Sequence, residues 1–136
     1  MSLSGIRTKI DTALSTISGL GHAARVPSVM NAPFAFPSLR PQNPIDFDFT
    51  AQNGTLVYHF YVEVLVNKGA TLEQAQDDLD PYLQNTGSSS IRAALETISW
   101  GTDAQTHRLT GVSNYVPAVY NGTEFLGARL NLDVWV

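Results

Sequence analysis

The stretch Thr55-Leu-Val-Tyr-His-Phe-Tyr-Val-Glu-Val-Leu-Val66 decides the fold, because its side chains alternate in character. In a β-strand successive side chains point to opposite faces, so each face collects every second residue. The even positions from Leu56 to Val66 are all apolar. The odd positions mix polar residues such as His59 and Glu63 with apolar ones such as Tyr61. The stretch therefore predicts a long strand with one core face and one partly exposed face.

The residues before this strand predict an antiparallel partner for it. Ile45, Phe47 and Phe49 alternate with polar residues, which indicates a half-buried strand over 45–50. Asn53-Gly54 then favours a tight hairpin turn, since both residues accept the positive φ angles that such a turn requires.

A second hairpin is predicted at the C-terminal end. Residues 106–119 read as a strand that Pro117 interrupts or ends, and Asn121-Gly122 is the turn into a last strand over 123–136. The even positions of that last strand from Leu126 to Val136 are apolar, and its odd face carries Arg129, Asn131 and Asp133.

Three helices are predicted from apolar residues spaced three and four apart. The first begins at Ser4 as N-cap and stops before Gly19 and Gly21. The second opens with Thr71 and Gln74 in a capping box, and Pro81 predicts a kink or break near Asp80. The third follows the serines 88–90 and carries Ile91, Ala94, Leu95 and Ile98. The order of elements predicts one α+β domain over residues 1–136, with an antiparallel (mixed) sheet built from two hairpins and about three helices on one side.

Five prolines between Val26 and Pro44 exclude a helix from this region. The stretch Asn31-Ala-Pro-Phe-Ala-Phe-Pro37 is typical of an extended segment at a sheet edge, because proline cannot donate to a ladder. Its aromatic side chains predict that it contacts either its own core or a neighbouring molecule.

Composition narrows the function classes. The net charge is −4 and the eight Lys and Arg residues are scattered, which argues against general nucleic-acid binding. There is no cysteine, so disulfides and thiol chemistry are excluded. The N-terminus does not resemble a signal peptide and no apolar run is long enough to cross a bilayer, so we expect a soluble protein made in the cytoplasm, without membrane contacts.

No motif for chemistry stands out. His22, His59 and His107 lack the short spacing of metal ligands, and there is no nucleophile elbow or phosphate-binding loop. The acidic cluster Asp77, Asp78 and Asp80 is typical of the solvated face of a helix, since adjacent positions point in different directions. We therefore expect no catalytic residues, no metal site, no cofactor and no enzymatic activity.

Three stretches, in this order, resemble one family. They are the proline-framed segment 31–37 after an N-terminal helix, Tyr61-Val-Glu-Val-Leu-Val-Asn67 with Ala75-Gln-Asp-Asp-Leu-Asp-Pro-Tyr-Leu83, and Gly87-Ser-Ser-Ser-Ile-Arg-Ala-Ala-Leu95 with Phe125-Leu-Gly-Ala-Arg-Leu130. In these the chain resembles the tail terminator proteins of long-tailed, non-contractile bacteriophages of the actinobacteriophage type. The family pattern of an acidic residue and Leu-Gly-Gly after the third helix is replaced here by Ile98-Ser-Trp-Gly-Thr-Asp103.

The resemblance implies a structural virion protein located at the neck of the tail. Such proteins form a hexameric ring that caps the head-proximal end of the tail tube, ends elongation and contacts both the tube protein and the head-completion (connector) protein. DNA passes through the ring without being held tightly. Ring contacts would come from the proline-rich segment and from the mixed face of the long strand, which makes these seven residues the expected assembly interface: Pro33, Phe34, Phe36, Pro37, His59, Tyr61 and Glu63.

Two alternatives remain open at this stage. The chain could be another neck, connector or tail-tube subunit of the same virion. It could instead be a small non-viral ligand-binding or enzymatic α+β domain, whose mixed strand face lines a pocket.

Overall fold

The computed structural model describes residues 3–28, 31–47, 56–68, 71–98, 100, 106–120 and 122–136. In chain order its elements are α1 (Leu3–Leu14), β1 (Gly21–His22), β2 (Phe34–Leu39), β3 (Ile45–Asp46), β4 (Val57–Asn67), α2 (Leu72–Leu83), α3 (Ile91–Thr97), β5 (Thr106–Tyr120) and β6 (Thr123–Trp135). The α+β prediction is confirmed: within these ranges, three helices pack against an open, mixed sheet of six strands.

The sheet has the order β1-β2-β4-β6-β5, and β3 pairs with β4 beside β2. All neighbouring strands run antiparallel except β1 and β2, which are parallel. Both β2 and β3 lie along the same side of β4. Leu39 faces Phe60 and Ile45 faces Tyr58, so residues 40–44 leave the ladder as a short loop and the strand resumes after it.

The loop over residues 40–44 is held by backbone and side-chain bonds. The Arg40 N–H donates to the His59 carbonyl at 2.9 Å, and the His59 N–H donates to the Pro44 carbonyl at 2.8 Å. The Arg40 guanidinium donates to the carbonyls of Gln42 (2.6 Å) and Asn43 (2.8 Å). Asn43 has a φ of 46°, the left-handed region that Asn tolerates better than most residues.

The main core lies between the helices and one face of the sheet. The even side chains of β4 from Tyr58 to Val66 are buried there, as predicted, and so are the even side chains of β6 from Leu126 to Val134. Each helix contributes buried apolar residues to the same cluster: Ile6, Ile10, Ala13, Leu14, Ala75, Leu79, Ile91, Ala94 and Leu95. The helices therefore cover one face and leave the other open. None of the helices within the described ranges combines the length and the apolar character needed to cross a lipid bilayer.

The predicted N-caps Thr71 and Ser90 are confirmed, whereas the reciprocal bond of a capping box stays a prediction, since the Gln74 side chain donates to Asp78 Oδ1 at 3.1 Å. The Thr71 hydroxyl accepts from the Gln74 N–H at 3.2 Å, and the Ser90 hydroxyl accepts from the Ala93 N–H at 3.1 Å. Ser4, in contrast, lies inside α1 and is not its N-cap.

Of the kink or break predicted near Asp80, the break is wrong, because α2 continues through Pro81 to Leu83. Pro81 lies in the last turn, where the missing N–H removes only a single helix hydrogen bond. Pro117 likewise does not end its strand, since β5 runs on to Tyr120. An edge strand tolerates proline because the N–H of such a residue can face away from the neighbouring strand.

The prediction for residues 45–50 is wrong at Phe47, whose side chain is 76% exposed. Of the described residues 45–47, Ile45 and Asp46 form a strand, and residues 48–55, including Asn53-Gly54, lie outside the described residues. A two-residue turn at Asn53-Gly54 would place Ile45 opposite Val62, but Ile45 lies opposite Tyr58. The two segments compete for the same edge of β4. Strand β2 already pairs with residues 60–65 of β4 along that edge, so β3 pairs further towards the start of β4.

The C-terminal hairpin is confirmed in its register. Tyr120 pairs with Thr123 across a two-residue connection, and Gly122 has a φ of 78°. Asn121 itself lies outside the described residues.

Candidate assembly surface

The open face of the sheet centres on the carboxylate of Glu63, which is only 8% exposed. Its Oε1 accepts from Arg129 Nε at 3.0 Å and from the Tyr120 hydroxyl at 3.4 Å, while its Oε2 accepts from the Ser38 hydroxyl at 2.9 Å. Glu63 and Arg129 face each other on the adjacent strands β4 and β6, so the ladder itself brings the two charges together. A buried charge requires such partners, because leaving it unpaired would cost several kcal/mol.

Aromatic rings border this ion pair. The Arg129 guanidinium carbon lies 4.9 Å from the centre of the Tyr61 ring, which is a cation–π contact. Burial and the negative charge of Glu63 raise the pKa of Tyr120, and its hydrogen bond to Glu63 acts in the same direction while Arg129 lowers it. Tyr120 therefore serves as a neutral donor to Glu63.

His59 forms a second polar group on the same face. Its Nδ1 lies 2.5 Å from Asp133 Oδ1 and its Nε2 lies 2.7 Å from Asp46 Oδ2. The imidazole therefore lies between the two carboxylates and contacts both. The ring thus ties β3, β4 and β6 together. The two carboxylates bind opposite nitrogens and do not converge on a point, and the described residues hold no cluster of three or more ligands suited to a metal ion.

The proline-rich segment forms strand β2 and buries much of its aromatic surface within the chain. Phe36 is fully buried in a small second cluster with Leu65 and Phe125 on the open side of the sheet. The Tyr120 ring meets the Phe36 ring edge-on, with 6.4 Å between the ring centres. The centre of the Phe34 ring also lies 6.4 Å from that of Phe36. The side of β2 towards the helices carries Ala35, Pro37 and Leu39.

The seven predicted interface residues lie on the adjacent strands β2 and β4, except Pro33, which directly precedes β2. Their exposure to solvent differs. Phe36 and Pro37 are buried inside the chain, so neither side chain is available to a partner in this conformation. Glu63 is nearly buried in its ion pair. The other four are half-buried and remain candidates for contact: Pro33, Phe34, His59 and Tyr61.

Sequence reasoning predicted a strand over residues 106–119 but did not identify β5 as an exposed edge of the sheet. None of its 15 residues is buried, and β6 is the only described strand beside it. Val112, Val116 and Val119 are 45%, 50% and 63% exposed. The pairing of β5 with β6 shifts its register between Leu109 and Gly111 and again between Ser113 and Val116.

Acidic side chains of α2 lie next to this edge. The Tyr115 hydroxyl on β5 donates to Asp80 Oδ1 at 2.7 Å. Burial, the hydrogen bond to Asp80 and the negative charges of Asp80 and Asp77 together raise the pKa of Tyr115 to about 12. The helix side of the β5 edge is therefore negatively charged and flanked by exposed valines.

The opposite edge of the sheet has a different character. The two-residue strand β1 covers only Phe34 and Ala35 of β2. Beyond it lies an open recess of about 410 Å³, and its walls are basic and apolar: Arg7, Arg25, Val26, Pro37, Ser38 and Leu39. Val26 is 57% exposed.

The recess beside Glu63 is small, at about 70 Å³, and it is walled by Tyr120, Asn114 and Gly127 among others. Pockets for organic ligands usually measure about 300–1,000 Å³, so this space is too small for one. Polar groups at its floor already bind one another, which favours a structural role. No protein-family model matches the chain, and no curated protein matches it.

Proposed function

We propose that this chain is a structural, non-enzymatic subunit of a ring that caps the head-proximal end of the tube of a long, non-contractile phage tail. The ring would end tube growth and offer its other side to the head-completion protein. The observation that carries the proposal is the β5 edge, a 15-residue strand with no buried residue and three exposed valines. A long exposed edge is a template for another chain, so it favours a subunit that acts in an assembly.

The exposed valines support the same conclusion energetically. Burial of apolar surface contributes about 25 cal/mol per Å², and an isolated chain gains nothing from side chains that stay in water. An apolar strip along a sheet edge therefore favours a role in association over a role in the core.

The open face supports passage of DNA through such a ring. Its principal polar side chains, Glu63 with Arg129 and His59 with two aspartates, contact one another within the chain. Guanidinium groups that already bind a carboxylate are less available to phosphates, and the net charge of the chain is −4. We therefore expect DNA to slide past this protein without being bound tightly.

The test is a lysate of a phage from which this gene has been deleted, viewed by electron microscopy. A cap works by presenting a surface that the next tube subunit cannot copy. Its loss should therefore give tails of abnormal and variable length that fail to join filled heads. Expression of the wild-type chain from a plasmid is the control and should restore uniform, attached tails.

The alternatives give different micrographs. Loss of a tube subunit would leave no tails at all, and loss of an enzyme would leave tail length unchanged. Uniform tails attached to heads in the deletion lysate would refute the proposed function.

A further inference from the structure

The strand directions determine how two copies of the sheet can meet. Because each pair from β2 through β4 and β6 to β5 is antiparallel, β2 and β6 run in one direction while β4 and β5 run in the other. A second copy placed beyond β5 in the same orientation would present its β2 antiparallel to β5. The alternation of strands would then continue from one copy to the next, with the helices of both on the same side.

The outer side of β2 has backbone groups available for such a contact. The carbonyls of Pro33 and Ala35 accept from Gly21 and Ala23, so odd residues of β2 point their backbone groups away from β4. Strand β1 ends after pairing with Ala35, and no described strand lies beside Pro37 and Leu39. Pro37 has no N–H, and its backbone groups point away from β4, so the pairing of β2 with β4 loses no hydrogen-bond donor there.

The side chains at the two edges are complementary in charge and polarity. On the helix side, the β5 edge presents Val112, Tyr115 and Val119 next to the acidic Asp77 and Asp80. The β2 edge presents an open recess with apolar walls next to the basic Arg7 and Arg25. A valine side chain is small enough to enter such a recess, and the acidic and basic groups lie on the matching side of the sheet.

We propose that copies of this chain join head to tail, with the β5–α2 edge of one copy (Val112, Tyr115, Val119, Asp77, Asp80) seated on the α1–β2 edge of the next (Arg7, Arg25, Val26, Leu39). The inference rests on the proposed function and deepens it, because it assigns the two surfaces that form the ring. A contact between two different surfaces closes into a ring when the rotation between copies allows it.

The experiment is a charge swap measured by sedimentation velocity and native mass spectrometry of the full chain. Asp77→Arg places a positive charge against the basic edge of the next copy, and Arg25→Glu places a negative charge against the acidic edge. Each variant alone should weaken self-association about tenfold at low salt, since an attraction becomes a repulsion. Asp78→Arg is the matched control, because it changes the charge equally at a position that lines a recess with Pro33 and Tyr82 instead.

An equal mixture of Asp77→Arg and Arg25→Glu should restore association to near the wild-type level. When the two variants alternate around a ring, two kinds of contact result. In one, the new positive charge at position 77 meets the new negative charge at position 25, and in the other both edges keep their original, opposite charges. Circular dichroism of the separate variants checks that both are folded, and 0.5 M salt should reduce all differences because exposed charges are screened.

The outcomes separate this inference from the proposed function. If the wild-type chain associates and both charge variants associate equally well, the head-to-tail surfaces are wrong and the cap remains supported. If the wild-type chain stays monomeric at every concentration, the inference is overturned as well. The proposed function is judged independently by the tail lengths in the deletion lysate. Recovery in the mixture, with no effect of Asp78→Arg, supports the assignment.

Discussion

Strands β4 and β5 differ in what they contribute to the fold. Eight of the eleven residues of β4 are buried, and other strands pair with it on both sides. Strand β5 is longer, yet none of its residues is buried and, among the strands that the structure describes, it pairs with β6 alone. Strand length is therefore no measure of a strand's share in the core. The comparison suggests that β4 provides stability and β5 provides contact, and four changes test this division.

The largest effect is expected at the centre of β4. Phe60 is 1% exposed, and Phe60→Ala should lower the free energy of unfolding by about 3–5 kcal/mol, the usual range for a truncated core aromatic. Urea unfolding followed by circular dichroism measures it.

The neighbouring His59→Ala is the control for that change. His59 lies on the open face with its partners Asp46 and Asp133 part-exposed, so its loss should cost much less than the loss of Phe60. Equal losses at both positions would mean that the face assignment of β4 is wrong.

A second change tests whether β2 belongs with the core or with the contact surface. Phe36→Ala should cost about 2–4 kcal/mol, because its ring is fully buried although its cluster is small. Phe34→Ala should cost about 1 kcal/mol, since this ring is only half-buried. If thermal unfolding shows no loss for Phe36→Ala, the second cluster does not stabilise the isolated chain.

Substitutions in β5 should separate stability from association. The double change Val112→Thr and Val119→Thr keeps β-branched residues at exposed positions, so unfolding should change by less than about 0.5 kcal/mol. Self-association should nevertheless weaken, because the apolar contact surface is reduced. A drop in stability comparable to that of Phe60→Ala would contradict the division between the two strands.

The last change concerns Tyr115 at high pH. Its pKa is about 12 in the folded chain and near the ordinary value of 10 when unfolded. A raised pKa means that the stabilisation is complete below pH 10 and is lost as the pH rises towards 12. Tyr115→Phe should therefore lose less stability over this window than the wild type, as denaturant unfolding at several pH values would reveal. Identical pH profiles would show that Tyr115 does not sense the acidic edge.

The features of the fold that depend on local sequence were predictable. The alternation of β4 and β6, the Ser90 cap and the turn before Thr123 follow from side chains near one another in the chain. The place of β2 was not predictable in the same way. Strands β2 and β3 compete for the same edge of β4, and which of them pairs with a given stretch depends on the arrangement of the complete sheet.

The candidate site shows the same limit more sharply. Glu63 was selected as a polar residue on a mixed face, but its partners Ser38, Tyr120 and Arg129 come from three other strands. An edge is a property of topology, and no pattern within residues 106–120 states which strand will lack a second neighbour. The acidic residues of α2 were read as a solvated face, and their position beside Tyr115 depends on how the helix packs over the sheet.

The short loop over residues 40–44 has a practical consequence for labelling the protein. Strands β2 and β3 keep their own registers on β4 at either side of it, so extra residues between Gln42 and Asn43 would lengthen a segment that the ladder already bypasses. The entropic cost of a longer loop grows only slowly with its length. A fluorescent or affinity tag inserted there would report the position of this chain in a particle while leaving both edges of the sheet untouched.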